Sequence, residues 1–364
     1  MTTARSFLKS LLSPILSTLT VAALLAAAAH AQTLQQNEAS CVNNGNTISV
    51  DLQIAACTAL IQSGQLTGQD LAITYQDRGI AYAEKNQNDL AIADFTVAIQ
   101  MNPTGPNAYV GRGLVYNQEQ QYTSAIPDFT EAIQLNPNFT EAFENRGDSY
   151  RYTGQYDLAV ADYTRVIALV PSSAFAYRNR GLAWAGKGQF DQAIADYNAA
   201  LGLKPNDAST YVDLGSAYNN EYQFQLAIPN FDHAILLDPK NVFAWNDRCW
   251  AHAILGDYTD AMTDCNQSLQ LQPNYADALD SRAFIYLRQK NADQAIAGYN
   301  AALAINPKLA TSLYGRAMAE LMKGETAPAN ADIAAAQAID PNIATEFTKW
   351  GVPAPAAAPL PNSK

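Results

Sequence analysis

Residues able to carry out catalysis are few and badly spaced in this chain. His30, His233 and His252 are its three histidines, and none lies four residues from another, so no helical His-x-x-x-His metal pair can form. Neither C-x-x-C nor G-x-S-x-G occurs. A phosphate loop needs two glycines, then Lys and a hydroxyl residue to hold the metal. Gly181 to Gly188, GLAWAGKG, supplies the glycines and Lys187, but Gly188 stands in the hydroxyl position. Gly111-Arg112-Gly113 begins a nucleotide fingerprint and lacks its third glycine. The sequons Asn138-Phe139-Thr140 and Asn266-Gln267-Ser268 matter only in a eukaryotic secretory pathway. No catalytic residue, metal set or cofactor site is expected, and the chain reads as a non-enzyme.

The glycine-lysine stretch is better explained by the element around it. From Ala174 to Asp207, Tyr177, Arg180, Gly181 and Trp184 recur at i, i+3, i+4, i+7, as do Phe190, Ala193, Ile194, Tyr197 and, farther on, Leu201. That spacing marks one face of each of two helices. Gly186-Lys187-Gly188 divides them, and Pro205 ends the second, because a residue before proline avoids the α region. Prolines then recur every 34 residues: Pro103, Pro137, Pro171, Pro205, Pro239, Pro273, Pro307 and Pro341. A fixed period of this size predicts a solenoid. Eight registers follow over 72–343, each a helix-turn-helix that shares its core with its neighbours.

The repeat resembles the tetratricopeptide repeat (TPR) family. Tyr109, Gly113, Tyr116, Ala125, Phe129, Ala132 and Pro137 fill that family's signature positions, as do Tyr75, Gly79, Tyr82, Ala91, Phe95, Ala98 and Pro103 one repeat earlier. Small residues let two helices approach while aromatics fill the gap between hairpins. The resemblance implies an all-α, right-handed superhelical solenoid whose first helices line a concave groove that holds a partner peptide. The Lys and Asn clamp that some cytosolic members use for a C-terminal carboxylate is not visible.

Two features depart from the family pattern. An arginine precedes the first-helix glycine position and an aspartate follows sixteen residues later: Arg78/Asp94, Arg112/Asp128, Arg146/Asp162, Arg180/Asp196, Arg248/Asp264 and Arg316/Asp332. Repeat 5 loses both, as Leu214 and Asn230, whereas repeat 7 keeps Arg282 beside Gly298. Their joint occurrence predicts an Arg–Asp bridge between the two helices of a hairpin. The second departure lies in repeat 6, where Cys249 replaces the glycine and Cys265 the aromatic. Four cysteines allow three pairings, but solenoid repeats touch only their neighbours, so Cys41–Cys57 and Cys249–Cys265 are expected.

The ends have their own character. Arg5 and Lys9, an apolar stretch from Val21 to Ala29, and Ala29-His30-Ala31 read as a secretory signal peptide over 1–31. The expected address is periplasmic or secreted, with no membrane anchor after cleavage. Residues 32–71 read as an N-terminal cap, with Asp51 capping a helix whose apolar face is Leu52, Ala55, Ala56 and Ala59. Phe347, Trp350 and Gly351 suggest a capping half-repeat over 344–351, and 352–364 is a Pro/Ala-rich tail expected to be disordered. Loss of Arg5 and Lys9 takes the formal charge from −12 to −14, which disfavours nucleic acid as a partner.

What remains is binding. First-helix positions offer a charged patch in repeats 3 and 4, Glu144, Asp148, Arg151 and Arg178. Repeats 6 to 8 offer an apolar strip, Phe243, Asn246, Trp250, Phe284 and Tyr314, together with Leu287 and Met318. An aromatic anchor in an apolar patch suits a protein partner, and Trp250 is the expected anchor. His252 is read as a packed stand-in for an aromatic. The reading is an interaction scaffold, with a glycan-binding or polysaccharide- or secretion-machinery subunit as the alternative.

Overall fold

The computed structural model describes residues 33–43 and 47–353. The signal segment, the Asn44-Gly45 turn and the tail beyond 353 lie outside the described residues. Every regular element among those residues is an α-helix. Helix α1 (33–42) and α2 (Val50–Ser63) lead into eight hairpins. The first three are α3 (Gly68–Glu84) with α4 (Asn88–Met101), α5 (Pro106–Gln118) with α6 (Tyr122–Leu135), and α7 (Thr140–Tyr152) with α8 (Tyr156–Leu169). The next three are α9 (Ala174–Gly186) with α10 (Phe190–Leu203), α11 (Ala208–Asn220) with α12 (Phe224–Leu237), and α13 (Val242–Leu255) with α14 (Tyr258–Leu271). Last come α15 (Ala276–Arg288) with α16 (Ala292–Ile305), α17 (Ala310–Met322) with α18 (Thr326–Ile339), and the short α19 (Ile343–Lys349). From α5 to α17, first helices begin 34 residues apart, in step with the prolines. We call the first helix of each hairpin A and the second B.

Each A-to-B turn needs one residue in the left-handed region. Gly154, Gly188, Gly256 and Gly324 supply it in repeats 3, 4, 6 and 8, whereas Asn86, Gln120, Tyr222 and Lys290 adopt it elsewhere. Within the hairpins, the signature glycine makes room for an aromatic ring. A Cβ on Gly181 would stand 2.6 Å from Tyr197, and one on Gly215 the same distance from Phe231. Repeat 7 exchanges the roles: Ala283 replaces the A-helix glycine, and a Cβ on Gly298 of the B helix would meet Ala283 at 2.8 Å. The loss of an aspartate in this repeat therefore follows from packing.

The chain forms two compact units divided between Leu169 and Val170. The sequence expectation was one uninterrupted stack and did not foresee a division there. In the second unit α9, α11, α13, α15 and α17 each pack on the next, whereas none of α10, α12, α14, α16 and α18 contacts another of that set. Helices that crowd together define the inner side of a curved stack, so the A helices form its inner wall. The same holds in the first unit for α3, α5 and α7. Apolar cores are small and local in the earlier repeats. From Cys249 onward they merge into one cluster that reaches Phe347 and Val352.

The N-terminal segment corrects one expectation. Ser49, not Asp51, caps α2, its side chain accepting from the Leu52 amide. Its buried face is Gln53, Ala56, Cys57 and Leu60, and Leu52 is 60% exposed. The expected face, Leu52, Ala55, Ala56 and Ala59, is one residue out of phase with it, and the polar Gln53 takes the inward place expected of Leu52. Gln53 is buried, with Nε2 donating to the Cys41 carbonyl at 2.9 Å.

Candidate functional site

The framework pairs come first, because they fix the wall that any ligand meets. Arg78, Arg112, Arg146, Arg180, Arg248 and Arg316 each hold the aspartate sixteen residues on, Asp94, Asp128, Asp162, Asp196, Asp264 and Asp332, through Nε and Nη2. In most of them the third nitrogen reaches backward to the preceding B helix. Nη1 donates to Thr96 from Arg112, to Thr130 from Arg146, to Asp232 from Arg248 and to Asn300 from Arg316. One guanidinium thus joins three helices across two hairpins, a role the sequence reading missed. The signal was available as a polar side chain sixteen residues before each arginine. Cys41–Cys57 and Cys249–Cys265 are joined as disulfides, with Cα atoms 4.8 and 5.4 Å apart.

The charged patch is largely satisfied within the chain. Asp148 accepts from the Tyr163 hydroxyl at 2.7 Å and lies 3.5 Å from Arg151, which stacks on the Tyr152 ring. Burial, with Asp148 and Glu141 nearby, pushes the Glu144 carboxyl up. Arg178 belongs to the second unit and pairs with Asp213 at 2.7 Å.

The apolar strip needs correction. Phe243 is 56% exposed and meets Tyr275 edge-on. Phe284 and Tyr314, each 1% exposed, are not open, and Asn246, Leu287 and Met318 are also buried. Over Phe284 and Tyr314 lies α19. Phe347 packs 4.8 Å from the Tyr314 ring and 5.9 Å from Phe284, and Trp350 stands edge-on to Trp250 at 4.8 Å. The expected half-repeat is therefore a two-turn helix ending at Lys349, with Gly351 left-handed behind it.

Beside this aromatic cluster two cavities open on the A helices. One, of about 240 Å³, is walled by Tyr222, Asp247, Trp250, Glu346 and Trp350, with a serine and two asparagines of α11. The other, of about 330 Å³, lies among Arg178, Val212, Asp213, Phe243 and Asp247. Asp247 is common to both. It accepts from Ser216 Oγ at 2.9 Å and from Asn246 Nδ2 at 3.2 Å, and desolvation pushes its carboxyl up to about 6. One hairpin on, burial raises Asp280 to about 7, although the Ser312 hydroxyl donates to it. Among the described residues neither carboxylate forms an ion pair with a cation. Sequence reasoning passed over both, yet for Asp247 a pattern was present: Asp77, Asn145, Asn179, Asp213, Asp247 and Ser281 fall at one repeat position, immediately before the arginine or, for Asp213, before the Leu214 that replaces it. A polar residue kept on the inner wall was the signal.

His252 is half-buried and lies 3.6 Å from Asp257 at the end of its own helix. Gly181 to Gly188 belongs to α9 and its turn, with Gly181 against Tyr197. No group of three or more His, Cys, Asp or Glu among the described residues could hold a metal ion.

Sequence profiles described as tetratricopeptide repeat match residues 106–139, 145–208, 208–241 and 276–309. They leave out 72–105, 242–275 and 310–343; in the last two, Cys249, Cys265, Ala317 and Ile333 replace signature residues. Among curated proteins no sequence relative matches. Solved structures do. A tetratricopeptide repeat protein from Parabacteroides merdae is 16% identical with a TM-score of 0.56, over 71% of this chain and 98% of that one. The APC/C hetero-tetramer Cut9-Hcn1 is 21% identical with a TM-score of 0.55, over 74% of this chain. The match takes in about half, 52%, of the length of that chain. The C-terminal part of a TPR repeat-containing protein from Cytophaga hutchinsonii is 21% identical with a TM-score of 0.51, over 65% and 97%. At these identities the likeness establishes the fold: an all-α solenoid of TPR hairpins.

Proposed function

We propose that this chain is a non-enzymatic scaffold of the bacterial periplasm or cell envelope that holds a protein or peptide partner against its A helices. One observation carries the reading. The A-helix wall of repeats 5 and 6 presents exposed Phe243, half-buried Trp250 and the uncompensated Asp247 around two open cavities. Aromatic anchors beside polar groups are what a partner side chain needs. An acidic wall in a chain of formal charge −12 favours partners with basic or neutral contact segments. TPR folds generally serve as such scaffolds. For the exported address, two disulfides support an oxidising compartment, and no described helix is long and apolar enough to cross a membrane.

A second reading has its own support. Two tryptophans, a tyrosine, two asparagines, a serine and two carboxylates around 240 Å³ also suit a sugar ring, by stacking and hydrogen bonding. Affinity capture from envelope extract separates the readings. Wild type should retain a protein that Phe243→Glu loses and that Leu236→Glu, on the outer B-helix face, keeps. Retention of no protein, with heat evolved on titrating cell-wall fragments, would favour the glycan reading.

A further inference from the structure

Helix α19 has seven residues, too few to hold a helix in water unaided. Its order comes from what lies beneath it. Phe347 and Trp350, at i and i+3, share one face and insert among single rings from three successive A helices: Trp250 of α13, Phe284 of α15 and Tyr314 of α17. Polar contacts close the rim. The Tyr222 hydroxyl donates to Glu346, the Lys349 ammonium sits 4.6 Å over the Tyr222 ring, and Arg288 donates to the Trp350 carbonyl.

This contact reaches farther than a cap requires. A cover for the last hairpin needs only α17 and α18, which Ile343 and Phe347 already serve. Trp350 continues to α13, two hairpins back, and Tyr222 belongs to the A-to-B turn of repeat 5. Tyr222 itself sits at φ +57°, where repeats 3, 4, 6 and 8 place glycine. A left-handed tyrosine costs about 1 kcal/mol, and here the ring is aimed at residues 124 and 127 positions along the chain. Complementarity of this kind describes a ligand in a groove.

We infer that α19 occupies in cis a peptide-recognition groove spanning repeats 5 to 8, and that a partner segment takes its place in trans. The inference rests on the proposed function and names the partner's chemistry: a short amphipathic helix with two aromatic side chains at i and i+3 and a basic residue beside the second. The basic residue follows from where the cis segment directs its own: Lys349, beside Trp350, turns to Tyr222 and Glu346 and does not reach Asp247. Next to Trp350 the cavity remains open, and Asp247 in its wall has no cation. An external segment that fills this space gains a contact that α19 lacks. The rim contacts at Tyr222 and Lys349 are exposed, so release need not disturb the hairpins below.

The test uses the full chain carrying Phe347→Ala and Trp350→Ala, with a labelled peptide of residues 341–353, PNIATEFTKWGVP, followed by fluorescence anisotropy. The peptide should bind this variant at least ten-fold more tightly than wild type, and a peptide with both aromatics changed to alanine should bind neither. No binding to a variant whose circular dichroism is native would overturn the inference. Should the variant fail to fold, hydrogen exchange on wild type decides. Amides of residues 346–352 should exchange at least a hundred-fold faster than those of α17, whereas equal protection would mark α19 as a fixed cap. Loss of this claim would leave the proposed binding face testable at Phe243, which α19 does not cover.

Discussion

Arg146 holds Asp162 through two parallel bonds of 2.9 and 2.8 Å, and its remaining nitrogen reaches Thr130 of the preceding hairpin at 3.1 Å. The Asp162 side chain is 6% exposed and that of Arg146 is 16%. Neither group has enough water to compensate for a lost partner. The bridge is therefore part of the stacking of hairpins.

Arg146→Ala or Asp162→Ala alone should destabilise the protein by roughly 3 kcal/mol, because each leaves a charge buried without its partner. The double variant should be less unstable than the sum, with a coupling of about 1–3 kcal/mol. Thermal melts of the four proteins measure it, and strict additivity would show that the bonds contribute nothing.

The Cys249–Cys265 disulfide occupies the space that a glycine and an aromatic fill elsewhere, as Gly181 and Tyr197 do in repeat 4. Reduction, or Cys265→Ser, should cost about 3 kcal/mol in the chain-entropy account. Restoring the family pair with Cys249→Gly and Cys265→Tyr should recover much of that loss and leave only the Cys41–Cys57 bridge for a reductant to act on. A double variant as unstable as the reduced protein would refute the substitution logic.

Acidic groups without cations give the pH dependence an unusual sign. Asp280 is raised to about 7, and Asp247 and Asp77 to about 6, in each case chiefly by desolvation. Between the ordinary value near 4 and these raised values, the folded chain binds more protons than the unfolded one. The contribution of these groups to stability therefore falls as pH rises from about 4 to about 7. Asp280→Asn should raise stability at pH 8 by roughly 4 kcal/mol and change it little at pH 4. Melting curves across that range check it, and an equal effect at both ends would contradict the assignment.

Glycines predict opposite outcomes. Gly181→Ala places a methyl group 2.6 Å from Tyr197 and should cost about 1–3 kcal/mol. Gly202→Ala, in α10 with open space around it, should stabilise by up to about 1 kcal/mol. Differential scanning calorimetry on the two variants distinguishes space from propensity.

The hairpin frame was legible because its determinants are local and repeated. Pro205, Gly181 and Tyr197 each recur at one offset, so an error in one copy is corrected by the others. The inner wall was harder to read. Phe284 and Tyr314 occupy first-helix positions, and the return of the chain at Phe347 and Trp350 packs over them. Sequence spacing within a repeat carries no trace of a contact made 33 to 100 residues away. The α2 face failed for the converse reason: Gln53 is polar yet buried, since its partners are the Cys41 carbonyl and the Asn43 amide.

The central claim is that the A-helix wall of the second unit is where a partner sits. A photo-cross-linking amino acid placed at Phe243, and separately at Leu236 on α12, tests it in cells under ultraviolet light. The account predicts a discrete cross-linked protein from position 243, diminished by Asp247→Asn, and none from position 236. Equal products from both positions, or a product from 236 alone, would contradict it.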